Sequence, residues 1–126
     1  MKRRVTGIGG VFFKAKDPKA LLEWYKKHLG LDTDAYGWSF VWGDDDLPAP
    51  MTQLGVFPKD TDYFKPASDG YMINFRVEDL DELLKVLKEE GVRIVGEPQT
   101  YDYGKFGWIL DPEGNKIELW QPLSHF

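Results

Sequence analysis

The chain has 126 residues, 42% of them hydrophobic and 15% aromatic, enough apolar surface for one domain core. Its net charge is −5, and its lysines and arginines are interspersed with acidic residues, so the basic footprint of a nucleic-acid binder is absent. There is no cysteine, which removes disulfides, thiolate metal sites and cysteine nucleophiles, and no apolar run approaches the length of a membrane span. The expectation is a cytoplasmic protein with no nucleic-acid or membrane partner. Five tryptophans in so short a chain fit either an aromatic-lined cavity or a Trp-rich core.

In chain order, Val11, Phe13 and Ala15 alternate as a strand. Asp17 then stands where a helix N-cap belongs, with Pro18 at the first helical position, where no donor is needed. Leu21, Leu22, Tyr25 and Leu29 form an apolar stripe that ends at Gly30. Extended runs follow at Trp38–Trp42 and Met51–Phe57, separated and trailed by loops at Asp44–Pro50 and Pro58–Gly70. The pattern then repeats. Ile73, Phe75 and Val77 alternate, Asp79 with Glu82 has capping-box spacing, and Leu80, Leu83, Leu84 and Leu87 form a second stripe before Gly91. Further strands are expected at Arg93–Val95, Phe106–Leu110 and Lys116–Gln121, with a tight turn at Asp111-Pro112-Glu113-Gly114-Asn115 between the last two.

The two halves align at an offset of 62 residues: Phe13 meets Phe75, Asp17 meets Asp79, and Leu21-Leu22 meets Leu83-Leu84. Each half is therefore a strand, a turn, a helix and further strands, giving one domain of two modules, about 5–58 and about 70–122. Because side chains alternate across a strand, the apolar odd positions Val11, Phe13, Ala15, Ile73, Phe75 and Val77 should lie under the helices. The opposite face then carries Gly10, Phe12 and Lys14 from one half and Met72, Asn74 and Arg76 from the other. The same rule groups Trp38, Phe40 and Trp42, then Phe106 with Trp108, Glu118 with Trp120, and Gln53 with Gly55 and Phe57. If curved sheets close on these sets, they form an aromatic pocket with a few polar groups, the usual make-up of a small-molecule site. Arg76 and Glu118 could equally be a salt-bridged pair or solvated edge residues.

Lys16-Asp17-Pro18 through Trp24-Tyr25-Lys26-Lys27-His28-Leu29-Gly30-Leu31, then Val77-Glu78-Asp79-Leu80, and finally Asp111 to Leu119 resemble the vicinal oxygen chelate superfamily of glyoxalases, bleomycin-resistance proteins and extradiol dioxygenases. The resemblance implies an α+β fold of two βαβββ modules forming a cup. In metal-using members it also implies four ligand positions, which fall here on Gly10, Met72, Gln53 and Glu118. Gly10 and Met72 cannot bind a hard divalent cation, so no metal or other cofactor is expected, although Asn74, Tyr101 or Tyr103 are available as substitutes. His28 and His125 read as surface or capping histidines. Gly7-Ile8-Gly9-Gly10 precedes a strand and lacks the geometry of a phosphate loop.

Three functions compete. The first is a metal-free binding protein holding an aromatic or amphipathic ligand among Phe12, Trp38, Phe40, Trp42, Trp108 and Trp120, oriented by Gln53, Asn74, Arg76 and Glu118. The second is a metal-dependent lyase, isomerase or dioxygenase resembling lactoylglutathione lyase, with Glu118 as general base or surviving ligand. The third is an interaction module whose aromatics pack tightly and leave no cavity. The resemblance also implies a homodimer.

Overall fold

The computed structural model of the chain describes residues 3–43, 48–67 and 70–123. His125, Asp44 to Leu47 of the first long loop, and Ser68 and Asp69 of the second lie outside the described residues. The elements are β1 (Val5–Ala15), α1 (Pro18–Leu29), β2 (Trp38–Val41), β3 (Met51–Pro58), β4 (Tyr71–Val77), α2 (Leu80–Glu89), β5 (Gln99–Tyr101), β6 (Gly104–Leu110) and β7 (Lys116–Pro122).

Both helices begin where the sequence places them. The Asp17 carboxylate accepts from the Ala20 amide, and Asp79 accepts from the Glu82 amide, each relieving one of the unpaired donors of a first turn. Gly30 closes α1 in the left-handed region at φ 71°. The Asp111 turn is held by its own side chain: Oδ1 accepts from the amides of Glu113 and Asn115, and Oδ2 from the Asn115 side chain.

The strands form one mixed sheet in the order β2-β3-β1-β4-β7-β6-β5. The internal repeat becomes a local two-fold at its centre. Val11 pairs with Ile73, its own counterpart in the repeat, and the flanking pairs Gly10–Asn74 and Phe12–Met72 exchange under the same offset. On either side β1 runs parallel to β3 and β4 parallel to β7, with Gly10 beside Gln53 and Asn74 beside Glu118. The halves are thus joined edge to edge through β1 and β4 into a continuous sheet.

Two expected features differ. Arg93–Val95 is not a strand: Ile94 makes a single bridge to Ile109, and Gly96 at φ 67° followed by Pro98, which has no amide hydrogen, breaks the ladder. The edge position is taken instead by β5, which pairs with β6 across the turn at Asp102 and Tyr103. Consequently the second half supplies four strands and the first half three.

The helices are also unequally buried. In the second half Leu80, Leu83 and Leu84 pack with Val77 and Leu119, supported by Phe75, Leu87 and Ile109. In α1 only Leu22 is buried, and Leu29, expected in the apolar stripe, is 59% exposed. Val11, expected beneath a helix, is likewise exposed on the outer face of β1. No helix among the described residues is long and apolar enough to cross a membrane.

Candidate functional site

The face of the sheet opposite the helices holds a cavity of about 900 Å³. Its apolar walls come from Phe12, Val41, Met51, Phe106 and Trp120. Ser39, Gln53, Asn74 and Glu118 supply the polar groups, with Tyr36 and Tyr103 also on the lining. One part of the cup is filled rather than open. Phe12, Phe64 and Met72 form a buried cluster backed by Phe57 and Trp108, so the cavity occupies the remainder.

Gly9 makes the approach of the polar groups possible. The β1 ladder shifts register between Ile8 and Gly10, and both glycines turn their side-chain positions toward the cup. A Cβ on Gly9 would overlap Asn74 Oδ1 and come within 2.9 Å of the Trp120 ring; one on Gly10 would meet the Phe12 ring at 2.7 Å. Paired glycines inside a strand are a readable sign of such close approach.

Glu118 is 2% exposed and sits at the centre of a hydrogen-bond cluster. Asn74 Nδ2 donates to Oε1 at 2.6 Å, Trp108 Nε1 donates to Oε2 at 2.8 Å, and the Tyr63 hydroxyl also donates to Oε2. Burial pushes the Glu118 carboxyl above the ordinary glutamate range; the bonds from Tyr63, Trp108 and Asn74 and the charge of Lys116 pull it part of the way back. The same burial, with the neighbouring carboxylate, pushes the Tyr63 hydroxyl upward, so the phenol keeps its proton and serves as donor. Lys116 is pulled downward, chiefly by burial.

Across the cavity, Ser39 Oγ donates to Gln53 Oε1, and Gln53 Nε2 donates to the Tyr36 carbonyl at 2.7 Å. Both ends of this amide are therefore occupied. Two buried polar atoms of the lining residues have no partner: Asn74 Oδ1 and Trp120 Nε1. Phe106 stacks on Trp120 with ring centroids 6.4 Å apart and an interplanar angle of 9°.

The structure brings Phe12, Gln53, Asn74, Glu118 and Trp120 together on this lining and places the other expected site residues elsewhere. Trp108 shares the face but lies deeper, against Glu118 and the edge of Tyr63. Arg76 shares it too, fully buried, but its guanidinium holds the Pro48 carbonyl through Nε and Nη2 and donates to Thr6 Oγ1. Trp42 lies with its ring over that guanidinium, at 5.4 Å, and bonds Thr52 through Nε1.

Trp38 and Phe40 correct the parity expected for β2. Ser39 pairs with Gln53 and Val41 with Met51, so Ser39 and Val41 face the cavity while the two aromatics point the other way. Aromatic content misled there, because register is set by the neighbouring strand. Lys14 is also off the lining, with Nζ over the Phe64 ring, and His28 stands in the last turn of α1 against Trp24.

Tyr63 escaped sequence reasoning altogether, since a tyrosine in an irregular loop has no periodicity to expose it. Tyr36 sits in a turn and was hidden for the same reason, while Tyr103, also in a turn, was named only as a substitute metal ligand.

A family model for the Glyoxalase/Bleomycin resistance protein/Dioxygenase superfamily matches residues 7–119. The chain belongs to this superfamily. Among solved structures, a variant of Streptomyces coelicolor methylmalonyl-CoA epimerase in complex with 2-nitronate-propionyl-CoA superposes with a TM-score of 0.74 at 17% identity, covering 95% of this chain and 99% of that one. Methylmalonyl-CoA epimerase from Mycobacterium tuberculosis gives 0.64 at 24% identity, over 97% and 91%. A Legionella pneumophila protein described as an NAD-dependent benzaldehyde dehydrogenase gives 0.60 at 20%, over 90% and 97%. Identities this low establish a shared superfamily fold and no shared chemistry. Comparison with curated protein sequences gives no match.

The superfamily's metal positions do not fit a metal here. Gly10 offers no donor, and Met72 is fully buried among Phe12 and Phe64. Gln53 Oε1 and both Glu118 oxygens already accept hydrogen bonds, and beside Glu118 the sheet register places Asn74, not Met72. Among the described residues no three His, Cys, Asp or Glu side chains converge.

Proposed function

We propose that this superfamily member is a metal-free binding protein for a small aromatic or amphipathic molecule. The observation that carries the reading is the cavity itself: about 900 Å³, walled by Phe12, Phe106 and Trp120, and ending on the buried pair Asn74 and Glu118. Small-molecule sites combine such an apolar body with a few convergent polar groups. A tightly packed aromatic interior, as an interaction module would have, leaves no such space. Stacking and area burial against the rings would supply most of the affinity, and the polar pair would set orientation.

The solved relatives include acyl-CoA complexes, yet no lysine or arginine is found among the described cavity-lining residues to receive phosphates. The test is a titration of intrinsic tryptophan fluorescence and melting temperature against amphipathic amines, planar uncharged molecules, aromatic acids and acyl-CoA. Saturable binding by a flat or amphipathic class supports the reading, and silence across all classes removes it.

An enzymatic reading has one observation in its favour. Glu118 is a buried carboxylate with its pKa driven upward, the condition under which a carboxylate becomes an effective base near neutral pH. Exchange of solvent deuterium into a bound carbonyl compound, lost in Glu118→Gln, would support it.

A further inference from the structure

We infer that the molecule held in this cavity presents an organic ammonium group to Glu118, which Asn74 holds in place; this rests on the binding reading above. The starting point is Asn74, 2% exposed on the central strand β4. Its Nδ2 is committed to Glu118 Oε1 at 2.6 Å, which fixes the orientation of the amide and turns Oδ1 away from the carboxylate. Oδ1 comes to rest over Gly9, where only the absence of a side chain leaves room, and it has no partner. Buried carbonyl oxygens are almost always hydrogen-bonded, and one left bare is costly. Asn74 Oδ1 has no accessible surface, so it receives nothing from the cavity; what the amide does is hold Glu118 Oε1 in place through Nδ2.

Glu118 is the group with room for a further donor. Its carboxylate accepts three bonds, from Tyr63, Trp108 and Asn74, out of about four lone-pair sites. One acceptor position therefore remains on Oε1, beside Asn74 in the parallel register of β4 and β7. That vacant acceptor suits a head group that carries an N–H donor.

The sign of the charge follows from the rest of the lining. Among the described lining residues Glu118 is the one carboxylate, and there is no lysine, arginine or histidine. Lys116, whose field reaches Glu118, is held by the Tyr63 carbonyl at 2.6 Å and is not on the lining. A buried carboxylate without an opposing charge in its cavity favours a cation and disfavours an anion. The stacked rings of Phe106 and Trp120 accept the flat body of such a molecule and attract a cation at their faces.

Four probes of one shape separate the possibilities: 2-naphthylmethylammonium, 2-naphthylmethanol, 2-methylnaphthalene and 2-naphthoate, titrated calorimetrically into the full chain. The ammonium should bind roughly tenfold or more tighter than the other three, because a site built around hydrogen-bonding groups rejects analogues that leave them unpaired. Asn74→Leu and Glu118→Gln should each reduce that preference. If any of the other three binds as tightly as the ammonium, the inference is overturned and the binding reading stands. If none of the four binds, the inference falls, and the binding reading falls with it only where the wider screen above is silent too. The wild-type series decides the question even where a variant fails to fold.

Discussion

Tyr63 and Glu118, 55 residues apart in sequence, share a hydrogen bond that ties the loop after β3 to the far half of the sheet. The tyrosine ring reinforces the tie by stacking on Phe57 with centroids 5.5 Å apart and meeting Trp108 edge-on. Phe64, the next residue, is fully buried beneath it. A segment without secondary structure is thereby made part of the cup.

Tyr63→Phe keeps the ring contacts and deletes the hydroxyl. Glu118 loses one donor while staying buried, and the expected cost is about 1–2 kcal/mol of folding stability. Urea denaturation at neutral pH measures it. An unchanged midpoint would mean that the hydroxyl is replaced by solvent at no cost.

The raised Glu118 carboxyl gives the pH dependence a definite sign. Folding is helped below the unfolded-state pKa, where the group is neutral in both states, and that help is lost as pH rises through the higher folded-state pKa. Glu118→Gln removes the titration. The wild-type protein should therefore lose stability relative to the variant as pH climbs above the ordinary glutamate range, and parallel curves would contradict the burial argument. Exposed acids whose carboxyls are held down, Glu90 by Arg4 and Asp111 by Asn115, pull the other way as pH falls, and they cancel in the comparison because both proteins carry them.

Gly9→Ala tests the approach of β1 to the polar pair. The new methyl would overlap Asn74 Oδ1 and crowd the Trp120 ring, forcing one of them to shift. Overpacking of this kind costs about 1–3 kcal/mol, and it should weaken binding of any cavity ligand by more than it lowers the melting temperature would imply. Gly114→Ala is the control: its added methyl meets open space and strains only a turn at φ 84° far from the lining.

Arg76 is expected to act on the loop at Pro48 instead of on a ligand. Its fork reaches one carbonyl twice, at 3.1 and 3.0 Å, which a lysine cannot reproduce. Arg76→Lys should lower stability by about 1–3 kcal/mol and speed proteolysis near Pro48, while ligand affinity in the cavity changes little. A selective loss of affinity with stability intact would move Arg76 back into the site.

Much of the fold was legible because local chemistry and global pattern agree. Asp17 and Asp79 cap their helices, the Asp111 turn closes as its Gly and Asn require, and the repeat appears as the pairing of Val11 with Ile73. The site was legible where strands are paired on both sides: alternation placed Asn74, Glu118 and Gln53 correctly on one face. It was illegible at the margins. β2 is an edge strand whose aromatic residues are not sorted by burial, β5 is too short to show a period, and Tyr63 and Tyr103 lie in segments with none. Arg76 shows the remaining gap: alternation gives a side chain's direction, but only tertiary contacts decide whether it meets a ligand or a neighbouring loop.

The lopsided burial of the two helices bears on how such a cup receives a guest. Ser39, Val41, Met51 and Gln53 belong to the half whose helix buries Leu22 and only partly covers Leu21 and Tyr25, whereas Glu118 and Trp120 rest on the half consolidated by Leu80, Leu83 and Leu84. Amide protons of the first half should exchange with solvent sooner, since opening follows the local density of buried apolar contacts. One wall is then an anvil and the other a yielding palm: a guest would be gripped by stiffening β2 and β3, at some cost to its affinity.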